Sequence, residues 1–359
     1  MPTQFDQTMN RLDLHSKIGR TVVQDGREFL FFSGTAYLGM GGVEAFEKLV
    51  IEGISKYGIS HGLSRVNNVR LAVYEQFEVF FAEKAKAEKS LVWSSGFLAG
   101  TAAISYLKKD AHQIFIAPDT HPAVLAEGLH PFPNPSFDYW IGYCKETCER
   151  LPTSNILILA NAVDPLKPAV HDFDWIRELP SRHHYTLLID DSHAFGILGE
   201  DIFGTYSQWK NLPVNLVISG SLGKGLSLPA GIILADEKTV SGISQMSIFR
   251  TSSPPTPGFL QAFLQGQHLF EAQRTKSKSN LSLFKSLLGK HSEFLQSGDF
   301  PVFSFPDKSW AAALEAAGII VSSFPYPKPT DPFANRIVVS GCHEESDILI
   351  LYKAITSLI

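Results

Sequence analysis

Short runs that are apolar at nearly every position recur through the middle of the chain. They are Ser90–Trp93, Gln113–Ala117, Ile156–Ala160, Tyr185–Asp190, Leu216–Ser219 and Gly231–Ala235. A strand covered on both faces carries such a run, whereas a half-exposed strand alternates. Between several of them lie stretches with helical patterning, including Leu98–Leu107 and Ala123–Gly128. This alternation predicts an α/β domain with a mainly parallel sheet. Ahead of the block, Glu28–Phe32 reads as a strand and Phe46–Tyr57 as a helix. After it, Phe249–Pro257 is rich in Ser, Thr and Pro and predicts an ordered loop or domain junction. From about Gly258 a long helical stretch, Phe259–Leu288, leads into further strand–helix alternation. That ends in a strand at Arg336–Ser340 and a helix at Glu344–Ile355. The expected division is an N-terminal segment 1–44, a large domain 45–250 and a smaller α/β domain 251–359.

Composition narrows the picture. The chain has 359 residues, is 44% hydrophobic and carries a formal net charge of −5. That length allows one large core with a smaller one beside it. Without a basic excess, nucleic acid is not an expected partner. Met1–Asn10 is polar, and no apolar run reaches membrane-spanning length, so a soluble cytoplasmic protein is expected. The three cysteines, Cys144, Cys148 and Cys342, are too few and too odd in number for a disulfide framework. Cys144 and Cys148 can share a helix face, but with no second ligand pair nearby no metal site is expected.

In open α/β sheets, ligands bind beyond the carboxyl ends of the strands. Three strand ends carry reactive groups. Leu187–Ile189 runs into Asp190-Asp191-Ser192-His193, Leu216–Ile218 into Ser219-Gly220-Ser221-Leu222-Gly223-Lys224, and Ile114–Ile116 is soon followed by Asp119-Thr120-His121. A carboxylate, a lysine and two histidines thus converge on one edge. Trp93-Ser94-Ser95-Gly96-Phe97 adds a glycine turn entering a helix, where free backbone N–H groups suit an anion. These parts meet the needs of pyridoxal 5'-phosphate (PLP): an amine for an imine, a carboxylate at the pyridine nitrogen, a flat group over the ring and an anion site.

The ordered motifs resemble the α-oxoamine synthase family of fold-type I PLP enzymes, which includes 8-amino-7-oxononanoate synthases and glycine C-acetyltransferases. They run from Tyr37-Leu38-Gly39 through Ser64-Arg65, Ser95-Gly96-Phe97 and Asp119-Thr120-His121 to Asp190-Asp191-Ser192-His193-Ala194-Phe195-Gly196. Ser221-Leu222-Gly223-Lys224-Gly225, Thr251–Pro255 and Arg336–His343 complete the series. The resemblance implies a large domain with a mainly parallel seven-stranded sheet, a smaller C-terminal α/β domain and a homodimer. It implies PLP as cofactor, with Lys224 as Schiff-base lysine and proton-transfer base, Asp190 at the pyridine nitrogen, His193 at the ring hydroxyl and His121 over the ring face. Ser95, Gly96, Phe97, Ser221 and Thr251 are then phosphate-side residues, and Arg336 binds the substrate carboxylate. The implied reaction is a decarboxylating condensation of an acyl-CoA with a small amino acid. The alternative is transamination, or another PLP reaction of an amino acid.

The pattern departs from the family where substrates are expected. Thr35 replaces the usual Asn before Tyr37, Val69 and Tyr74 replace a Gly and a His, and Asn161-Ala162-Val163-Asp164-Pro165 replaces a Glu-Gly stretch followed by Ser. Three other motifs lead elsewhere. Gly58-Ile59-Ser60-His61-Gly62 fits a hydrolase elbow, but it follows a helix pattern instead of a strand. Gly220–Lys224 is too short for a phosphate-binding Walker loop, and His183-His184 reads as surface polar sequence before a strand.

Overall fold

The computed structural model describes residues 12–289, 293–326 and 328–358. The chain opens with β1 (Thr21–Gln24), β2 (Arg27–Phe32), α1 (Glu44–Tyr57) and α2 (Val73–Ala85). It continues with β3 (Lys89–Trp93), α3 (Gly96–Leu107), β4 (Gln113–Ile116), α4 (Phe137–Arg150) and β5 (Asn155–Asn161). The two-residue strands β6 (Val163–Asp164) and β7 (Ala169–Val170) pair with each other. Then come β8 (His184–Asp190), α5 (Tyr206–Trp209), β9 (Asn215–Ser221), β10 (Gly231–Ala235), α6 (Glu237–Ser244), α7 (Ser247–Thr251) and α8 (Pro257–Gln265). The chain closes with α9 (Gln267–Leu288), β11 (Val302–Ser304), α10 (Ser309–Ala316), β12 (Ile319–Pro325), β13 (Phe333–Val338) and α11 (Glu345–Ile355). Among the described residues, no helix is long and apolar enough to cross a membrane.

Two compact units emerge. One comprises Ala45–Asp164 and Val170–His268; the other comprises the described residues of Met1–Glu44, Pro165–Ala169 and Leu269–Ile359. The first is built on a six-stranded sheet in the order β3-β10-β9-β8-β5-β4. Strands β4, β5, β8 and β9 run parallel, and β10 is antiparallel to both its neighbours. The central runs are the most fully buried, with all five residues of β10 and all of β5 after its first, while Gln113 and Ile114 on the edge strand β4 are half-buried. Ala99, Ala102, Ala103 and Ile104 of α3 pack in one core with Leu157, Leu188, Val217 and Ile233 of the sheet. The small side chains on α3 permit a close approach to the strands.

Six strands stand where seven are expected. Beyond β4 the chain passes through Pro131, Pro133 and Pro135. Each fixes φ near −65° and lacks an N–H, which disfavours a sheet strand. One backbone bond, Phe132 N–H to Ile116 O at 3.2 Å, ties this segment to β4, while Gln113 Nε2 donates to Ile114 O at 3.2 Å. The outer carbonyls of β4 are thereby covered, which blunts the edge against further pairing.

Other differences have local causes. Ala123–Gly128, expected as a helix, is only a 3-10 turn at Pro122–Val124 followed by a loop in which Gly128 takes φ +80°. The long stretch expected from Phe259 to Leu288 is broken at Gly266 into α8 and α9. The junction at Phe249–Pro257 opens inside the short helix α7. His183 is buried: its Nδ1 accepts from Ser154 N–H at 3.1 Å, and its Nε2 lies 2.9 Å from the Cys148 carbonyl. Its polar atoms hold α4 to β8, so the surface reading of that histidine is wrong. Cys144 and Cys148 lie buried on α4.

The second unit has a five-stranded sheet in the order β1-β2-β12-β13-β11. Phe32, Leu281, Phe284, Phe303, Ile337, Ile348 and Leu351 form its core. The N-terminus of α11 is closed by a capping box between Glu344 and Asp347. His343, fully buried, stacks on Phe32 with ring centroids 3.9 Å apart. Its Nδ1 accepts from Ser340 N–H at 3.0 Å, and its Nε2 lies 2.9 Å from the Phe31 carbonyl. Burial pushes its pKa down to about 4.

Candidate functional site

Strand pairing aligns the chemistry. Asn161, Asp190 and Ser219 stand in register at the carboxyl ends of β5, β8 and β9. Each strand therefore delivers its following loop to the same sheet edge. Asp190 is buried, and its Oδ1 accepts from Ser192 N–H at 2.8 Å. That bond turns the chain so that His193 faces the loop after β9, where Lys224 Nζ lies 2.8 Å from His193 Nε2. The neighbouring Asp191 is fully buried behind the edge; it accepts from Thr205 N–H at 2.6 Å and from Thr205 Oγ1 at 2.9 Å. Burial raises its pKa to about 7.

His121 reaches the same edge from the loop after β4. Its Nδ1 is 3.8 Å from Asp190 Oδ2 and accepts a 3.1 Å hydrogen bond from Ala123 N–H. Nδ1 is thus the unprotonated nitrogen. Burial lowers the His121 pKa; the Asp190 carboxylate opposes this shift and Lys224 adds to it. The ring is therefore neutral at neutral pH, with its face and Nε2 left for other contacts.

The corner at the start of α3 is built by close backbone approach. Ser95 caps α3, its Oγ accepting from Leu98 N–H at 3.2 Å. The N–H groups of Gly96 and Phe97 come before the first intrahelical donor, Ala99 N–H, which bonds Ser95 O at 3.1 Å, and point out of the helix end. A Cβ on Gly96 would lie 2.4 Å from Ser221 Cα and N, and one on Gly231 would lie 2.2 Å from Ser95 O. Only glycine lets β9 and β10 seat the helix end this tightly. Ser221 N–H donates to Ser192 Oγ at 2.8 Å, which ties the Lys224 loop to the Asp190 turn. Phe97 is mostly exposed beside this corner. The set fits a phosphorylated pyridine ring: a primary amine, a carboxylate, a neutral imidazole and a helix N-terminus share one sheet edge.

Thr251 ends α7, with its hydroxyl donating to Ser247 O at 2.8 Å. It lines a cavity of about 320 Å³ together with residues of the Ile59–Ser64 loop and Ser252–Pro257. Arg336 belongs to the second unit. It lies buried on β13, and its Nη1–H donates to Pro165 O at 3.0 Å.

Two sequence departures acquire structural partners. Tyr74 OH donates to Pro255 O at 2.8 Å and sits 2.8 Å from His61 Nε2, while His61 Nδ1 accepts from Leu63 N–H. Asn161 holds the turn before His121: its Oδ1 accepts from His121 N–H at 3.1 Å, and its Nδ2 donates to the Asp119 carbonyl. The sequence marked Asn161 only as a departure; its place at a strand end between two reactive ends was the available signal. Ser192 was likewise visible in its motif but carried no assigned role. Arg65 of the Ser64-Arg65 motif meets Glu78 of α2 in a bidentate pair, with Arg65 Nη1 and Nη2 at 2.9 and 2.8 Å from the Glu78 carboxylate.

Comparison with known proteins agrees with this geometry. Residues 146–355 match the family model described as aminotransferase class I and II. An 8-amino-7-oxononanoate synthase of Lysinibacillus sphaericus is 25% identical over 348 residues, covering 92% of this chain and 89% of the relative. One of Dechloromonas aromatica is 26% identical, covering 98% and 95%. A solved serine palmitoyltransferase from S. paucimobilis superposes with a TM-score of 0.83 at 16% identity, over 97% of this chain and 92% of that one. An 8-amino-7-oxononanoate synthase from Francisella tularensis gives 0.67 at 20% identity, over 92% and 98%. The last two likenesses establish the shared fold.

Proposed function

This chain belongs to the aminotransferase class I and II family, and from that premise we propose that it is a PLP-dependent C-acyltransferase joining an acyl-CoA to a small amino acid with loss of CO2. The observation that carries the reading is the 2.8 Å approach of Lys224 Nζ to His193 Nε2, beside the buried Asp190 carboxylate at the parallel strand ends. The curated relatives named 8-amino-7-oxononanoate synthase, matched over nearly the full length of both chains, support the acyl-transfer form of the chemistry.

When bound, PLP supplies an aldehyde for imine formation and a protonated ring that takes up electron density. Asp190 would hold the pyridine proton, since a buried carboxylate beside a ring nitrogen favours the charged pair. His193 would hydrogen-bond the ring hydroxyl, and His121 would cover the ring face. Ser95, Gly96, Phe97 and Ser221 would bind the phosphate, with Thr251 serving the phosphate of a partner subunit in a homodimer. Lys224 takes the proton from the amino-acid Cα and returns one at the end of the cycle. Arg336 binds the amino-acid carboxylate, which suits its planar guanidinium. In the net reaction the amino-acid Cα bonds to the thioester carbonyl carbon, the C–S bond breaks, CoA leaves as the thiol, and the carboxylate departs as CO2.

The test is spectroscopic first. The purified protein should absorb in the visible, borohydride should bleach that band by reducing the imine while leaving the pyridoxyl group covalently attached, and Lys224→Ala should show no such covalent attachment. Mixing with alanine, glycine or serine and a panel of acyl-CoA thioesters should then release CoA. No CoA from any pair, together with amination of bound PLP by the amino acid alone, would assign transamination instead.

A further inference from the structure

Asn161 is the last residue of β5 and is buried, in register with Asp190. Its side chain spans the turn that carries His121. Oδ1 accepts from His121 N–H at 3.1 Å; Nδ2 donates to the Asp119 carbonyl and, at 3.4 Å, lies against Asp119 Oδ2. The amide orientation is dictated by its partners, because a flipped Asn161 would set two donors against each other at His121 N–H. Asp119 Oδ2 lies 2.9 Å from His171 Nε2, and the His171 ring stacks on Phe137 with centroids 3.8 Å apart and planes 7° apart. A rigid line thus runs from the Phe137–His171 stack through Asp119 and Asn161 to the backbone of His121. The His121 imidazole is then fixed 3.8 Å from Asp190 Oδ2 and bonded to Ala123 N–H.

We propose that Asn161 is a positioning residue for His121, setting where that ring stands over the cofactor face through its paired bonds to His121 and Asp119. This rests on the reading above in which His121 covers bound PLP. Asn161 replaces the Glu-Gly stretch usual at this strand end. A carboxylate here would meet Asp119 and could not donate to it. The Asn and Asp119-His171 therefore work as one set, and the departure changes how the ring is held instead of opening a pocket.

The experiment uses the PLP-loaded protein and its visible circular dichroism per bound PLP, with absorbance reading occupancy separately. Wild type is compared with Asn161→Ala, Asn161→Asp, His121→Ala and the double variant His121→Ala with Asn161→Ala. Asn161→Ala should cut the visible dichroism by about twofold or more while adding no further loss once His121 is absent, the non-additivity expected of two groups acting as a unit. Asn161→Asp, nearly the same shape, should shift the band in the same direction and keeps the comparison readable if the truncation fails to fold. Wild-type dichroism in both single Asn161 variants, or an added loss in the double variant, overturns the positioning role alone. Failure of the wild-type protein to take up PLP overturns the cofactor reading, and this inference with it.

Discussion

Gly96→Ala tests whether the site depends on backbone approach as closely as the geometry implies. The added Cβ would sit 2.4 Å from Ser221 Cα and N and 2.5 Å from Ser221 Cβ. Ordinary contact begins near 3.4 Å, so α3 and the end of β9 must separate by about 1 Å. The atoms met are backbone and cannot rotate aside. Overpacking of this kind costs about 1–3 kcal/mol. On the proposed reading, the same shift moves the Gly96 and Phe97 N–H groups away from the Ser221 hydroxyl with which they would bind the phosphate. Losing one hydrogen bond to a charged phosphate costs about 1.5–3 kcal/mol, or roughly a 10- to 100-fold rise in the Kd for PLP. Equilibrium dialysis of PLP and urea unfolding measure the two losses. Gly142→Ala is the control: that glycine sits inside α4, nothing lies within 4 Å of its added Cβ, and alanine there should stabilise by about 1 kcal/mol. A Gly96→Ala protein with wild-type PLP affinity and an unchanged unfolding midpoint would refute the argument.

Two further outcomes are expected. His343 is buried neutral with a pKa lowered to about 4 from 6.5, so its unfolded form binds the proton first; stability is whole above pH 6.5 and falls by about 3 kcal/mol as pH drops to 4. Urea midpoints across that range should fall more steeply for wild type than for His343→Gln, and parallel slopes would reject the assignment. Glu78→Ala leaves the Arg65 guanidinium and Val92 N–H without their carboxylate, so unfolding should become easier by about 3 kcal/mol, with Arg65→Ala in the same background costing little more.

Much of the site was legible because strand ends are simple. Ile189 and Ile218 close apolar runs, so Asp190 and the Ser221–Lys224 loop had to leave a parallel sheet on the same side. Gly96 was readable as a turn glycine, but not the reason for it, since Ser221 is brought against it only by folding. The pairing of Arg65 with Glu78 was hidden for the same cause: nothing in their spacing says that a loop turns one onto the other. The missing seventh strand was written in Pro131, Pro133 and Pro135, and the break between α8 and α9 in Gly266. His183 misled because polarity was read as exposure, while its two ring nitrogens are both used inside the fold.

The departures from the family pattern bear on where substrate choice resides. Were Asn161 and Tyr74 simply eroded positions, their polar atoms would face solvent or lie idle. Instead Asn161 bonds on both sides of the His121 turn, and Tyr74 OH joins His61 to Pro255. Burial raises the Tyr74 pKa to about 12, so its hydroxyl stays a donor across the neutral range. Both side chains therefore act on loops: one holds the turn bearing His121, the other holds the Ile59–Ser64 loop against the segment following Thr251. A change of substrate preference through these positions would come from loop placement more than from direct contact. Restoring a family residue at one of them without its partners, Asp119 for Asn161 or His61 and Pro255 for Tyr74, should then weaken the site before it alters selectivity.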